Sequence, residues 1–151
     1  MPWPDLPPLD LDALYGLTGM AIIVCWGLLI LHPDRSSRWI TVPKFAVPTL
    51  FGLIYAGIMM AKFFDSGGGY GSIAAVRALF AHDDILLAGW LHYLAYDFFI
   101  GVWIAEQADR IGLSRQIQAA ILVTAFMFPP MGLVLFLATR AALRRSERLA
   151  A

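Results

Sequence analysis

The chain has 151 residues, 60% of them hydrophobic and 15% charged, with a mean hydropathy of +0.70. Soluble domains are roughly half apolar and about a quarter charged, so this composition excludes an ordinary soluble domain. A formal net charge of zero excludes a general attraction for nucleic acid, and the single Cys25 excludes an intramolecular disulfide.

The apolar excess collects into four blocks separated by charged or glycine-rich segments. That pattern predicts an all-α integral membrane four-helix bundle forming one membrane domain over residues 1–151. The opening stretch, residues 1–8, lacks a basic region and is too rich in proline to be helical. Neither a signal peptide nor a transit peptide is expected there, and a bacterial inner membrane is the simplest address.

The first span is expected over about residues 13–31, with Asp10 or Asp12 capping it and His32-Pro33 ending it. The second, about 45–61, places Pro48 in its first turn and Gly52 and Ala56 on a small-residue stripe suited to helix packing. The run Asp65-Ser66-Gly67-Gly68-Gly69-Tyr70-Gly71-Ser72 is read as a mobile loop, since no lysine follows it at phosphate-loop spacing. Ile73, Val76, Leu79 and Phe80 then recur at helical spacing, predicting a short interfacial helix between spans 2 and 3.

The third span, about 85–105, carries the polar groups. At 100° per residue His92, Tyr96, Phe99 and Trp103 share one ridge, with Glu106 near its end. Trp90, Tyr93, Asp97 and Gly101 share the next. His92 and Asp97 lie about 140° apart around the helix, so each is expected to meet a partner on another helix or a ligand. Tyr15, Tyr55 and Thr124 are candidate partners for Asp97. Ionisable groups inside a membrane cost on the order of 2–3 kcal/mol or more each, which makes them a functional hypothesis by default. Helix-to-helix hydrogen bonding is the competing reading.

No metal site is expected, because the His, Asp and Glu residues fall at none of the ligand spacings. His32 and His82 fall at or beyond span ends, which argues against a haem and leaves no cofactor implied. The fourth span, about 116–139, is interrupted by Pro129-Pro130 and Gly132, so a kink or break near Phe128 is expected. With four spans both termini share one side. Six basic residues then face five, and the arginines at 140, 144, 145 and 148 favour cytoplasmic termini.

Gly89-Trp90-Leu91-His92-Tyr93-Leu94-Ala95-Tyr96-Asp97-Phe98-Phe99-Ile100-Gly101-Val102-Trp103-Ile104 resembles the signature helix of the abscisic-acid-deficient-4-like, or neoxanthin synthase-like, membrane proteins. Thr124-Ala125-Phe126-Met127-Phe128-Pro129-Pro130-Met131-Gly132-Leu133 resembles the fourth-helix pattern of that family, with Pro129 where the pattern carries glycine. The resemblance implies a four-helix membrane protein and an isomerisation that opens a carotenoid 5,6-epoxide to an allenic alcohol, without a redox cofactor. Such chemistry needs an acid at the epoxide oxygen and a base for a neighbouring carbon-bound proton. Asp97 or Glu106 in one role and His92 in the other are the implied catalytic residues. Tyr93 or Tyr96 would orient the oxygen, while Trp90, Trp103 and Thr124 would line the site. The expected ligand is a carotenoid or another isoprenoid, in contact with membrane lipid. A non-catalytic carotenoid-binding or complex-stabilising protein is the alternative. A homo-oligomer is required only by a third reading, a solute pathway, which four short spans cannot enclose alone.

Overall fold

A computed structural model describes residues 10–32 and 34–150, and among them all regular structure is helical. The expectations for residues 1–8 and for Pro33 fall outside the described residues. Helix α1 (Leu11–Leu31) is capped by Asp10, whose carboxylate accepts from the Ala13 amide at 2.9 Å, and ends at His32. Helix α2 (Arg38–Lys62) starts seven residues earlier than its apolar run, because the Ser37 hydroxyl accepts from the Trp39 amide and nucleates the first turn. Pro43 and Pro48 consequently both lie inside the helix, each leaving the carbonyl four residues back without its usual donor.

The seven-residue helix α3 (Ile73–Leu79) is present as expected, capped by the Ser72 hydroxyl. The loop before it is pinned. The Gly69 amide donates to the Ala75 carbonyl at 3.1 Å, the Gly68 amide donates to the Ser66 hydroxyl, and the His82 ring bonds the Ser66 carbonyl at 3.0 Å. Gly68 packs so closely on the Leu79 backbone that a Cβ there would lie 2.3 Å from its nitrogen. A side chain at this position would push the loop off the helix.

Helix α4 (Asp83–Arg110) is the hub of the fold and packs against α1, α2, α5 and α6. Leu91, Leu94, Phe98, Val102, Ile104 and Ala105 supply its share of the core. It ends two residues before Gly112, whose positive φ of 64° favours glycine. Helices α1, α2 and α4 are long and apolar enough to cross a membrane.

The fourth apolar block departs from the expected single span. It folds as two helices, α5 (Arg115–Met127) and α6 (Pro129–Ala150), that double back on each other at Phe128. Gly132 meets Ala125 so tightly that a Cβ on it would lie 2.3 Å from the Ala125 Cα. On one continuous helix those residues would be about 10 Å apart. Phe136 then packs edge-on against Trp103 of α4, with ring centroids 5.7 Å apart. Helix α6 therefore runs back towards the end of the bundle where α5 began. At 13 residues, α5 is about 20 Å long and stops short of a hydrocarbon core of about 30 Å.

The double proline explains how a helix can begin at that depth. The first four N–H groups of a helix have no partner within it, and unpaired donors are costly in hydrocarbon. Pro129 and Pro130 carry no N–H, and the Gly132 amide donates to the Phe128 carbonyl at 3.0 Å. Only the Met131 donor is left over. The feature that reads as a kink in sequence is a helix start suited to an apolar medium.

This hairpin redistributes charge. One end of the bundle gathers Arg35, Arg38, Lys44, Arg110, Arg115, Arg140, Arg144 and Arg145, while the other holds Lys62 and Arg77 beside Asp10, Asp12, Asp65, Asp83 and Asp84. The start of α1 and the end of α6 lie at opposite ends, in place of the shared side that four spans would impose.

Candidate functional site

Helices α2 and α4 run antiparallel, and the seam between them is open along one side. Two adjoining pockets occupy it, of about 310 Å³ and about 650 Å³, and they share Tyr55 and His92. Ile85, Gly89, His92, Ala95, Tyr96 and Phe99 form the α4 wall, and Pro48, Gly52, Tyr55 and Met59 form the α2 wall. From Ile85 to Phe99 this groove extends about 21 Å. The small-residue stripe does not mark a close helix contact, since nothing lies within 4 Å of a Cβ built on Gly52 or Gly57; the missing Gly52 side chain leaves room in the seam instead.

The polar centre of the groove is a ring cluster. The His92 imidazole lies between Tyr55 and Tyr96, with ring centroids 5.3 Å and 4.6 Å away. The Tyr55 hydroxyl interacts with that of Tyr70, carried in by the pinned loop, and lies near that of Tyr96. Tyr70 itself stacks on Phe63 at 5.5 Å, which fixes its ring at the groove end. One imidazole and three phenols thus face a largely apolar channel. Such a set can donate to a neutral oxygen, and the imidazole can also accept a proton.

Ion pairs bracket the groove at both ends. Lys44 of α2 bonds Glu106 of α4 at one, and Lys62 meets Asp84 at 3.5 Å at the other. Beyond the first lies a buried network that ties the α1–α2 connection to α4 and α5. Arg35 Nη1 donates to the Ala105 carbonyl at 2.8 Å, to Asp109 Oδ2 at 3.1 Å and to Gln118 Oε1 at 2.7 Å. Gln118, only 2% exposed, donates in turn to Asp109 Oδ1 and to the Leu113 carbonyl. Burial holds the Arg35 guanidinium below its ordinary value, with Asp109 opposing that shift. Nearby, the Ser36 hydroxyl and amide hold the Asp34 carboxyl below the usual carboxylate range.

The residues singled out in the sequence divide among these features. His92 and Tyr96 line the groove together. Trp90 and Tyr93 stack on each other at 5.3 Å on another face of α4, where Trp90 also meets Tyr15 of α1. Asp97, one turn beyond Tyr93 and close to its hydroxyl, has a buried Oδ2 without a hydrogen-bond partner. It is not among the groove-lining residues, and neither is Glu106, which is engaged by Lys44. Trp103 packs on Phe136, and the Thr124 hydroxyl bonds the Ala120 carbonyl of its own helix. Tyr55, weighed from sequence as a partner for Asp97, serves His92 instead. Tyr70 and the Arg35–Asp109–Gln118 network carried no sequence signal beyond their residue types.

The family described as ABA DEFICIENT 4-like matches residues 13–136. The chain belongs to that family. The matched segment contains every groove residue and ends at Phe136, the ring that seats the hairpin on α4. Nothing among curated proteins or solved structures matches the chain.

Proposed function

We propose that this ABA DEFICIENT 4-like protein is a membrane-embedded isomerase that binds a carotenoid or another isoprenoid in the α2–α4 groove and moves protons on it. The observation that carries the reading is the His92–Tyr55–Tyr96 ring cluster set midway along a channel about 21 Å long. A long, thin, mostly apolar molecule suits that channel, and its oxygen would be the group that meets the cluster. His92 is the base that removes a carbon-bound proton, and Tyr96 orients the oxygen. Trp90, Tyr93, Trp103 and Thr124 act, on this reading, by supporting α4 and its neighbours and not by direct contact. Asp97 and Glu106, placed away from the cluster, are not assigned the acid role.

The address we propose is a bacterial inner membrane, with the arginine-rich end of the bundle in the cytoplasm. Eight basic residues stand at that end against two at the other, and basic loops stay cytoplasmic. The groove mouth at Tyr70 and Phe80 then faces the outer leaflet. The four-helix bundle expected from sequence survives here as three spans plus a half-depth hairpin that closes one side of α4.

The test is the pigment profile of a carotenoid-producing host with and without this gene. An isomer of a resident pigment, of equal mass and shifted retention, is expected in at least one oxygenated carotenoid background. Identical profiles across epoxide-containing backgrounds would overturn the enzymatic reading. The second reading, a protein that only binds carotenoid or stabilises a membrane complex, draws on the same groove, whose cluster holds a single basic group. Purified protein that keeps its colour indefinitely, without isomer formation, would favour it.

A further inference from the structure

We infer that Tyr55 and Tyr70 form a two-donor cradle for the ligand's oxygen, and that this phenol pair supplies the acid opposite His92. The inference rests on the groove reading above and adds residues on two other elements to it. Both phenols line the same pocket as His92, and their hydroxyls meet across its end. Tyr55 comes from the second half of α2. Tyr70 comes from the glycine-rich connection, where the Phe63 stack, the Gly69–Ala75 hydrogen bond and the Gly68–Leu79 contact hold it in place. A loop fixed at three points and delivering one hydroxyl to a pocket is a poor fit to a passive linker.

The geometry also explains why two donors are present. The remaining wall of that pocket is Met59, Leu79, Phe80, Ile85 and Gly89, which offers no side-chain hydrogen-bond donor or acceptor beyond the Met59 sulfur. The two phenols are the side-chain donors on the pocket lining besides His92. A neutral oxygen lodged between them could accept from both hydroxyls, the arrangement that stabilises developing negative charge. A hydrocarbon of equal shape would receive none and would leave the pair as it is.

For an epoxide the step balances without a co-reactant. His92 takes the proton from the carbon next to the ring carbon, and the C–H electron pair becomes the new carbon–carbon π bond. The epoxide C–O bond breaks, its electron pair stays on oxygen, and that oxygen takes a proton from one phenol. The imidazolium then gives its proton back to the phenolate, which restores both groups. The product is an alcohol of the same composition as the substrate.

The experiment uses full-length protein in nanodiscs, loaded separately with β-carotene and β-carotene 5,6-epoxide, which differ by one oxygen. Bound pigment per protein is read by absorbance. Wild type should retain the epoxide more strongly, and Tyr55→Phe and Tyr70→Phe should each cut that preference by about two- to tenfold, the worth of one neutral hydrogen bond. β-Carotene retention should be unchanged in both variants, which also shows that they fold. Equal retention of the two pigments by wild type would overturn the cradle and leave the groove reading intact. Phe variants that keep the full preference would do the same. Retention of neither pigment would overturn both.

Discussion

Gly132→Ala puts the hairpin to a test in which two architectures predict opposite signs. In a continuous or merely kinked fourth helix, alanine is the better helix former and the change should stabilise by about 1 kcal/mol. In the doubled-back arrangement the new methyl would sit 2.3 Å from the Ala125 Cα and 2.5 Å from its nitrogen. Those are backbone atoms, so α6 must move off α5 by roughly 1 Å or more to restore van der Waals distance. Overpacking of this kind costs about 1–3 kcal/mol. Set against the propensity gain of about 1 kcal/mol, a net loss of roughly 0–2 kcal/mol remains. For a chain of this size that lowers Tm by up to about 8 °C. Thermal unfolding in detergent, followed by tryptophan emission, reads the shift, and Trp103 against Phe136 makes the signal sensitive to the hairpin itself. A Tm raised by the full propensity gain would refute the close approach and the hairpin with it.

Three further outcomes are expected. Arg35→Ala strips acceptors on Ala105, Asp109 and buried Gln118 of their donor at once, and should cost about 3 kcal/mol, or roughly 6–12 °C in Tm. Arg35→Lys should recover part of that loss, because all three bonds leave from one nitrogen and an ammonium also carries three donors; no recovery at all would argue against the three-way bond. Lys44→Met and Glu106→Gln should each lower stability by about 1 kcal/mol, with the exchange Lys44→Glu/Glu106→Lys restoring most of it, and a double-mutant cycle with no coupling would remove the pair from the account. Single cysteines at Ser66 and Ser146, on a Cys25→Ala background, should label from opposite sides of the membrane with an impermeant thiol reagent. Labelling from one side would return the chain to four complete spans.

The sequence carried the local features well and the tertiary ones poorly, for physical reasons. Asp10 as a cap, Gly112 as a terminator and the seven-residue helix after Ser72 depend on a few neighbouring residues, and all three appear in the structure. The start of α2 was placed late because hydropathy marks where a helix becomes apolar, whereas Ser37 marks where it begins. Pro129-Pro130 is compatible with a kink and with a reversal. What decides between them is the contact of Gly132 with Ala125, which has no periodic signature. The position of His92 on the groove follows from helical phase, yet its partners do not. Tyr55 and Tyr70 stand on separate elements, and only the antiparallel register of α2 on α4, bracketed by Lys44–Glu106 and Lys62–Asp84, brings them to it. The 140° of helical phase between His92 and Asp97 sets His92 on the groove and leaves Asp97 off it.

The groove reading turns on His92, and one comparison addresses it most directly: isomer formation by wild type, His92→Phe and Asp97→Asn in membranes of a host that makes an epoxide-bearing carotenoid. His92 is exposed on the groove wall, so phenylalanine keeps the ring contacts with Tyr55 and Tyr96 and should leave Tm unchanged. The account predicts a loss of at least about 100-fold in conversion for His92→Phe, the usual worth of a positioned general base, with Asp97→Asn retaining most of the activity. Conversion that survives His92→Phe, or that fails only in Asp97→Asn, would contradict it.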